Sequence, residues 1–348
     1  MKNKRNHSKQ KAQSYRRGLL MKIISVATWY KRFSTIGEFL DNFSNGFYAK
    51  YHFILNMTNE DFSHFPKEVY EKYKDKIEFN TTEINYGSTN KLLPMIKYKK
   101  DPIMILDDDN LYNEDVINEF WEKYNPNCIN GLDGSVVNSK QPFILWYRIQ
   151  RSSCYRTTKT TPYKKTTIYK NILETPRNDI LFYGYAGVIF PPDILKLDEV
   201  DIDKEWSLFK QADDEWILKR SLELDIMKNA LKIEKFIVKK CITSAGAVSS
   251  FDDSYYDKCK KLHAYIYPLC NDFENDMELI KFSCKTIIPC SKSSVRKTKG
   301  KCKYTYYVDF CKHFGFENIW DKYMPEYKLK KMNKLLQKEE CSMTEFLQ

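Results

Sequence analysis

No stretch of this 348-residue sequence is long and apolar enough to span a bilayer, which takes about 20 consecutive apolar residues. The nearest candidate, GLLMKIISVATWY (18–30), follows a basic segment as the apolar part of a signal peptide would. Lys22 interrupts it, however, and no small-residue cleavage site follows. We therefore interpret this run as a buried strand and expect no stable membrane span anywhere in the chain.

The sequence also lacks any Cys-x-x-Cys pair of the kind that holds zinc. It contains ten cysteines, eight of them from Cys241 onward, and their spacing fits no regular ligand pattern. This distribution predicts free thiols in a reducing compartment. A disulfide or a metal site in the C-terminal third is the alternative.

Acidic residues are missing from the first 20 positions, which hold seven of the lysines and arginines behind the formal net charge of +11. Such a segment is typical of a disordered, solvated tail, and it could serve as an anion-binding arm. We predict a basic tail at 1–20, a folded domain at 21–245 and an irregular C-terminal extension of unknown role at 246–348. The expected location is cytoplasmic, with the tail as the part that could touch a membrane surface.

Four apolar runs without polar alternation indicate strands that are buried on both faces. They are KIISVATWY (22–30), YHFILNMT (51–58), IEFNTTEI (77–84) and PIMILDDD (102–109). Helical patterns are interleaved with them at 36–43, 67–76, 91–98 and 113–124, and Asn113 is the predicted cap of the last of these helices. This alternation predicts an α/β fold with a doubly wound, mostly parallel sheet and helices on both faces. Ligands bind such sheets at the carboxyl ends of the strands.

The pattern becomes less regular after residue 127. CINGLDGSVV (128–137) and PFILWYRIQ (142–150) are interpreted as strands, and EKFIVKK (234–240) as a last core strand. ADDEWILKRSLELDI (212–226) is predicted to be a helix with acids in its first turn.

The fourth apolar run ends on three consecutive aspartates, Asp107, Asp108 and Asp109. Adjacent like charges at a surface repel by roughly a few tenths to 1 kcal/mol per pair, so a positive partner is expected. Mg²⁺ and Mn²⁺ prefer oxygen ligands and are often held by one or two carboxylates plus substrate phosphates. The triplet therefore predicts a divalent-cation site. An ordinary acidic surface turn is the alternative.

Four ordered sequence blocks carry a more specific pattern. The first is IISVATWYKRF (23–33), and the third and fourth are ILFYGYAGVIFPPDIL (180–195) and ADDEWI (212–217). The second block consists of Tyr86, Gly87, Lys91, Leu92 and Pro94, followed by Asp107–Asp109 and Tyr112. Together they resemble the GT-A-type glycosyltransferases of the family-two kind, which transfer sugars from nucleotide diphosphates. The resemblance covers about 22–240. Asn85 stands where that family has aspartate, and Ala186 replaces one of its usual small residues.

The resemblance implies a site for a nucleotide-sugar donor and a metal ion. The residues implied for the donor are Thr28, Trp29, Arg32, Lys91, Asp107 and Asp108. Asp107 and Asp109 are implied as ligands of Mn²⁺ or Mg²⁺. On the residues alone, Trp29 could equally be part of the core, and Lys91 could be a solvated helix lysine.

Two further segments are implied for the sugar and the acceptor. Gly184, Tyr185 and Gly187 would let the backbone approach a sugar closely, although a tight turn explains the glycines as well. Asp213 and Asp214 are implied as candidates for the general base, with Asp214 preferred, which would give inversion. Capping of a helix by two acids is the alternative. The expected acceptor is a glycan or glycoconjugate.

Two other functions remain open from the residues. The basic and aromatic stretch YRIQRSSCYRTTKTTPYKK (147–165) and the loop KSSVRKTKGKCK (292–303) could belong to a protein that binds nucleic acid or another polyanion. We do not expect nucleic acid as the partner, because the acids cluster tightly in the predicted site. A nucleotidyltransferase using the same carboxylates and metal is the other alternative.

Overall fold

A computed structural model gives the structure of the chain. The residues that it describes are 20–137, 147–148, 176–209, 212–231, 238–241, 262–270, 326–327 and 330. The chain forms two compact units, one of 1–134 with 149–247 and the other of 135–148 with 248–348. All site residues predicted above belong to the first unit. The predicted boundaries at 20 and 245 stay predictions, and the tail, most of 147–165 and the loop 292–303 lie outside the described residues.

Twelve strands occur in the described part of the chain. They are β1 (Ile23–Ala27), β2 (His52–Thr58), β3 (Glu78–Thr82), β4 (Ile103–Asp107), β5 (Asn110–Tyr112), β6 (Ile129–Gly131), β7 (Gly134–Val136), β8 (Tyr147–Arg148), β9 (Ile180–Phe182), β10 (Val188–Phe190), β11 (Lys228–Ala230) and β12 (Val238–Cys241). The first four coincide with the four apolar runs of the sequence.

Seven of these strands form the central sheet in the order β11-β6-β10-β4-β1-β2-β3. The pairs β3–β2, β2–β1, β1–β4 and β11–β6 are parallel, and β10 is antiparallel to both β4 and β6. The buried strands β1 and β4 carry apolar side chains on both faces because helices flank the sheet. The predicted α/β fold with a mostly parallel sheet is confirmed.

Eight α-helices accompany the strands in the described residues. They are α1 (Phe33–Asp41), α2 (Asn45–Lys50), α3 (Asn59–Ser63), α4 (Lys67–Tyr73), α5 (Pro94–Lys97), α6 (Glu114–Glu122), α7 (Ile202–Phe209) and α8 (Asp213–Glu223). The predicted cap Asn113 begins α6 by accepting the N–H of Asp115 at 2.9 Å. None of the helices in these ranges is long and apolar enough to cross a membrane.

Two sequence predictions need correction. The pattern at 91–98 predicts one short helix, whereas the chain forms a 3₁₀ helix at Gly87–Leu92 and then α5, because Pro94 is favoured at the first position of a new helix. EKFIVKK was predicted as a last core strand, but β12 pairs with β5 outside the central sheet. The sheet edge beside β6 is taken instead by β11, whose sequence KNA has no strand-like pattern.

Aromatic side chains fill the space between β2 and the helices α1 and α2. Phe43 and Phe47 stack with ring centroids 4.5 Å apart, and Phe39 and Phe53 pack beside them. All four side chains are buried. Burying a phenylalanine side chain contributes about 1.5–3 kcal/mol, so this cluster is a main source of stability for this half of the sheet.

Replacement of Glu78 by glutamine should destabilise the fold in a pH-dependent way. Hydrogen bonds from His52, Lys97 and Tyr98 lower the pKa of Glu78 to about 2 despite burial. A lowered carboxyl pKa adds stability above about pH 4.5 that is lost as the pH falls through 2. We expect Glu78→Gln to reduce the free energy of unfolding by about 1–2 kcal/mol at pH 7, and the difference from wild type to shrink toward pH 2 in thermal melts. Glu83→Gln, at an exposed carboxylate just beyond the same strand, is the matched control and should behave like wild type.

Candidate active site

The carboxyl ends of β1 and β4 bring the first two predicted groups together. The two strands are parallel, and Ala27 lies beside Asp107 in the ladder. Thr28 and Asp108, the next residues of each strand, are both buried at this edge. The segment from Thr28 to Arg32 therefore lies against the aspartate triplet, as expected for residues that follow neighbouring parallel strands.

Arg32 is the positive partner that the aspartate triplet required. Its guanidinium forms an ion pair with Asp108 and lies 3.3 Å from Asp109 Oδ2. The Asp108 side chain is only 3% exposed, and burial raises its pKa although Arg32 acts in the opposite direction. Asp108 Oδ2 and Thr28 Oγ1 are also buried, and a hydrogen-bonding interaction with Thr28 acts together with Arg32 to lower the Asp108 pKa.

Lys91 supplies the second positive charge and is buried, not solvated. Its Nζ lies 2.6 Å from Asp107 Oδ1 and 2.9 Å from Asp213 Oδ2, and its side chain is 4% exposed. Burial lowers the pKa of Lys91, but Asp107 and Asp213 more than offset this effect and raise it above its ordinary value. The lysine stays charged and joins two acidic segments that are far apart in the sequence.

The backbone of Lys91 is fixed by a buried polar network. Its carbonyl accepts a hydrogen bond from Ser25 Oγ at 2.6 Å, and Asn56 Nδ2 donates to that same Oγ at 3.0 Å. Ser25 and Asn56 are fully buried on β1 and β2. The central strands therefore determine where the ammonium lies.

The glycine turn before β10 lies against the same lysine. Gly184 donates its backbone N–H to Asp214 Oδ1 at 2.9 Å. A Cβ at Gly184 would lie 2.8 Å from Lys91 Nζ and 3.3 Å from Asp214 Oδ1, so a side chain at this position would require the ammonium to move. Gly187 has φ +88°, a conformation that favours glycine. The glycines were predicted to admit a sugar, and here Gly184 admits Lys91.

The two adjacent acids at the start of α8 have different surroundings. Asp213 is buried, pairs with Lys91 and accepts a hydrogen bond from Ser88 Oγ at 2.7 Å. Burial raises its pKa, but Lys91 and Ser88 outweigh this and hold it below the ordinary range. Asp214 is half-buried and is oriented by the N–H of Gly184. Asp214 is therefore the better placed of the two to act on a ligand.

The remaining predicted residues lie at the margin of this cluster. Trp29 is half-buried, and the Lys31 ammonium lies 4.8 Å from the centroid of its ring. It is not one of the buried core residues. Tyr185 donates the hydrogen of its phenol to the fully buried Asp133.

Three residues of the site have no role assigned from the sequence, although Tyr112 belongs to one of the four blocks. Tyr112 accepts the N–H of Asp107 at 3.0 Å and donates to the carbonyl of Tyr185 at 2.9 Å, which ties the aspartate triplet to the glycine turn. Ser88 supports Asp213, and Asp133 anchors Tyr185. Two sequence features could have pointed to these residues. Asp133 is an acid within the apolar run CINGLDGSVV, and Ser88 lies beside Gly87 of the second block.

The cluster carries more negative than positive charge. Five carboxylates, those of Asp107–Asp109, Asp213 and Asp214, face the two cations Arg32 and Lys91. Burial is the main cause that raises the pKa of Asp109 to about 6, and the negative charge of Asp107 is the second. The described residues contain no preformed group of three His, Cys, Asp or Glu side chains that could hold a metal. Sites with one or two carboxylates hold Mg²⁺ when phosphate oxygens of a ligand complete the coordination.

Gly184→Ala should disturb the position of Lys91. The added methyl group would collide with Nζ, and we expect the free energy of unfolding to fall by about 1–3 kcal/mol, as for other overpacked sites. Gly46→Ala is the matched control, because Gly46 is an exposed position of helix α2 where a Cβ meets its nearest atom at 3.6 Å. Alanine is the better helix former by about 1 kcal/mol, so this control should be neutral or stabilising in chemical denaturation. Equal effects of the two substitutions would contradict the steric argument.

Asp109→Asn should stabilise the unliganded protein. A pKa raised from 3.8 to about 6 means that the ionised carboxylate is unfavourable in the folded state at pH 7. Roughly two pKa units at about 1.4 kcal/mol each, reduced by solvent screening, predict a gain of about 1–2 kcal/mol. The gain should shrink as the pH falls from about 6 to 4, where the wild-type carboxyl is protonated. Thermal melts across this range test the prediction, and a destabilised variant at pH 7 would contradict it.

The sequence matches no protein-family model and no curated protein. Among solved structures, S. aureus TarS 1–349 matches at 11% identity with a TM-score of 0.47. The same protein in complex with UDP-GlcNAc matches at 14% identity with a TM-score of 0.44. Both matches cover 94% of this chain and 92% of the other. The galactosyltransferase LgtC, in complex with donor and acceptor sugar analogs, matches at 11% identity over 73% and 84% of the two chains, with a TM-score of 0.33.

A putative glucose-1-phosphate thymidylyltransferase from Bacillus anthracis matches at 11% identity over 62% of this chain and 87% of the other, also with a TM-score of 0.33. All of these TM-scores lie below 0.5.

Proposed function

We propose that this chain is a GT-A-type glycosyltransferase that moves a sugar from a nucleotide-diphosphate donor to a hydroxyl group of a glycan or glycoconjugate. One observation carries the proposal. The four sequence blocks that resemble this family, spread over nearly 200 residues, meet in one cluster of charges at the carboxyl edge of the sheet. A purely structural origin would not require all four blocks to converge there.

The donor diphosphate would bind with Mn²⁺ or Mg²⁺ at the aspartate triplet. Asp107 and Asp109 would hold the ion, since they are the two triplet carboxylates that remain partly exposed, at 30% and 17%. When bound, the ion offsets the negative charge that develops on the leaving diphosphate. The excess of carboxylates over cations in the unliganded cluster supports this assignment.

The nucleoside part of the donor would lie beside the loop after β1. Trp29 offers a half-buried ring at this edge, and Thr28 Oγ1 and Asp108 Oδ2 are buried polar atoms beside it that would form hydrogen bonds with the donor. Arg32 would keep Asp108 charged and in place. These residues are proposed to bind and orient the donor, while Gly184, Tyr185 and Gly187 form the wall on the side of the sugar.

Asp214 is proposed as the general base. Its carboxylate is held by the Gly184 N–H and would take the proton of the acceptor hydroxyl as that oxygen attacks the anomeric carbon from the face opposite the leaving diphosphate. This geometry gives inversion. Asp213 is a weaker candidate, because the Lys91 ammonium holds its pKa low and it is already hydrogen-bonded to Ser88.

The other candidate functions have less support. A metal-dependent nucleotidyltransferase could use Asp107 and Asp109 in the same way, but it would have no evident use for a carboxylate at Asp214. Binding of nucleic acid or another polyanion would rely on basic segments that lie mostly outside the described residues. The cytoplasmic location and the membrane contact of the tail stay predictions.

The test begins with thermal melts in Mn²⁺ and a panel of nucleotide sugars, followed by measurement of donor hydrolysis and transfer. We expect at least one nucleotide sugar to raise the melting temperature only when metal is present. Asp214→Asn should keep this shift and lower turnover by about 10²- to 10⁴-fold. The double variant Asp107→Asn, Asp109→Asn should lose the shift while remaining folded.

Asp198→Asn is the control, since it makes the same chemical change at an exposed carboxylate paired with Lys99. It should match wild type in both measurements. Absence of any response of the wild-type protein to nucleotide sugars and metal would overturn the proposal. Release of pyrophosphate from a nucleoside triphosphate would favour the nucleotidyltransferase instead.

A further inference from the structure

We propose that Lys91 is an internal counter-cation that makes metal binding depend on the diphosphate. This inference rests on the proposed function and assigns Lys91 a role beyond that of a positive charge near the nucleotide. In the unliganded protein its ammonium neutralises Asp107, one of the two carboxylates proposed to hold the metal. Lys91 is thus a residue that determines which combination of ligands the site accepts.

The Lys91 ammonium is held away from solvent. The Lys91 carbonyl is fixed to Ser25, its side chain is 4% exposed, and Gly184 lies so close that a Cβ there would be 2.8 Å from Nζ. A divalent cation that approached Asp107 alone would meet this positive charge at close range. Metal binding without a diphosphate is therefore disfavoured, which agrees with the lack of a preformed three-donor group in the described part of the chain.

A diphosphate makes metal binding favourable because it brings negative charge that the Lys91 ammonium and the metal ion can share. Its oxygens can accept hydrogen bonds from the ammonium and also complete the ligand sphere of the metal. Asp107 is then released to the metal, while Asp213, 2.9 Å from Nζ, keeps the lysine paired. Two carboxylates around one ammonium allow this exchange without leaving a buried charge unpaired.

Arg32 cannot make the same exchange. Its guanidinium is held by Asp108 and lies 3.3 Å from Asp109, and Asp108 is too deeply buried to leave it. Lys91 is therefore the cation whose removal should change metal binding and diphosphate binding in opposite directions. Since coupling between two ligands is reciprocal, either ligand can be used to measure it.

The experiment is calorimetric titration of the full chain with Mn²⁺, alone and in the presence of whichever of UDP, GDP, CDP and ADP raises the melting temperature most. In wild type, the nucleotide should tighten Mn²⁺ binding at least tenfold. In Lys91→Met, Mn²⁺ alone should bind about tenfold more tightly than in wild type, the nucleotide should bind more weakly, and the coupling factor should fall toward one.

Two further variants accompany this measurement. Asp213→Asn leaves the ammonium with Asp107 as its main partner, so Mn²⁺ alone should bind more weakly than in wild type. Lys99→Met removes the same charge from an exposed position and should leave both affinities unchanged. If Lys91→Met does not fold, as judged by circular dichroism, the Asp213→Asn titration decides the question.

Unchanged or weaker Mn²⁺ binding by Lys91→Met would overturn the inference, as would unchanged or tighter binding by Asp213→Asn. Nucleotide binding by wild type that is indifferent to Mn²⁺ would also overturn it, because Lys91 would then replace the metal. Failure of the proposed function gives a different result, namely a wild-type protein that binds none of the four nucleotides with or without Mn²⁺.

Discussion

The buried ammonium of Lys91 is the contact on which the rest of the site depends. It joins the end of β4 to the start of α8 by pairing with Asp107 and Asp213. Breaking a buried ion pair by removing one partner typically costs about 3–5 kcal/mol, because the remaining charge is left uncompensated. The missing side chain at Gly184 and the hydrogen bond from Ser25 can both be understood as conditions for placing this one charge.

Around that contact the site keeps an unbalanced charge that a purely structural cluster would avoid. Asp107, Asp108 and Asp109 remain adjacent, although within the described part of the chain Arg32 and Lys91 are the two cations that pair with them and with the acids of α8. Proteins commonly accept such local cost where a ligand is bound, and make up for it in the core. The aromatic cluster of Phe39, Phe43, Phe47 and Phe53 is the kind of core that can do so.

The sequence was most informative where a pattern is local. The apolar runs of β1, β2 and β4 and the cap of α6 could be predicted because each depends on neighbouring residues. The strands β6, β10 and β11 have three residues each, too few to show a period, and β11 was missed for that reason. The site residues were found through the family resemblance, whereas their pairing was not. Nothing local indicates that Arg32 meets Asp108 76 positions away, or that one lysine serves two acidic segments.

Because β10 runs against its neighbours, the chain enters it at the edge where β4 ends. Val188 lies opposite Ile105 and Phe190 opposite Ile103, so the residues before Val188 continue toward the aspartates. A slip of one residue would move the glycine turn by about 3.3 Å and turn every side chain of the strand to the opposite face. This three-residue ladder therefore fixes where the glycine turn lies between the carboxylates of β4 and those of α8.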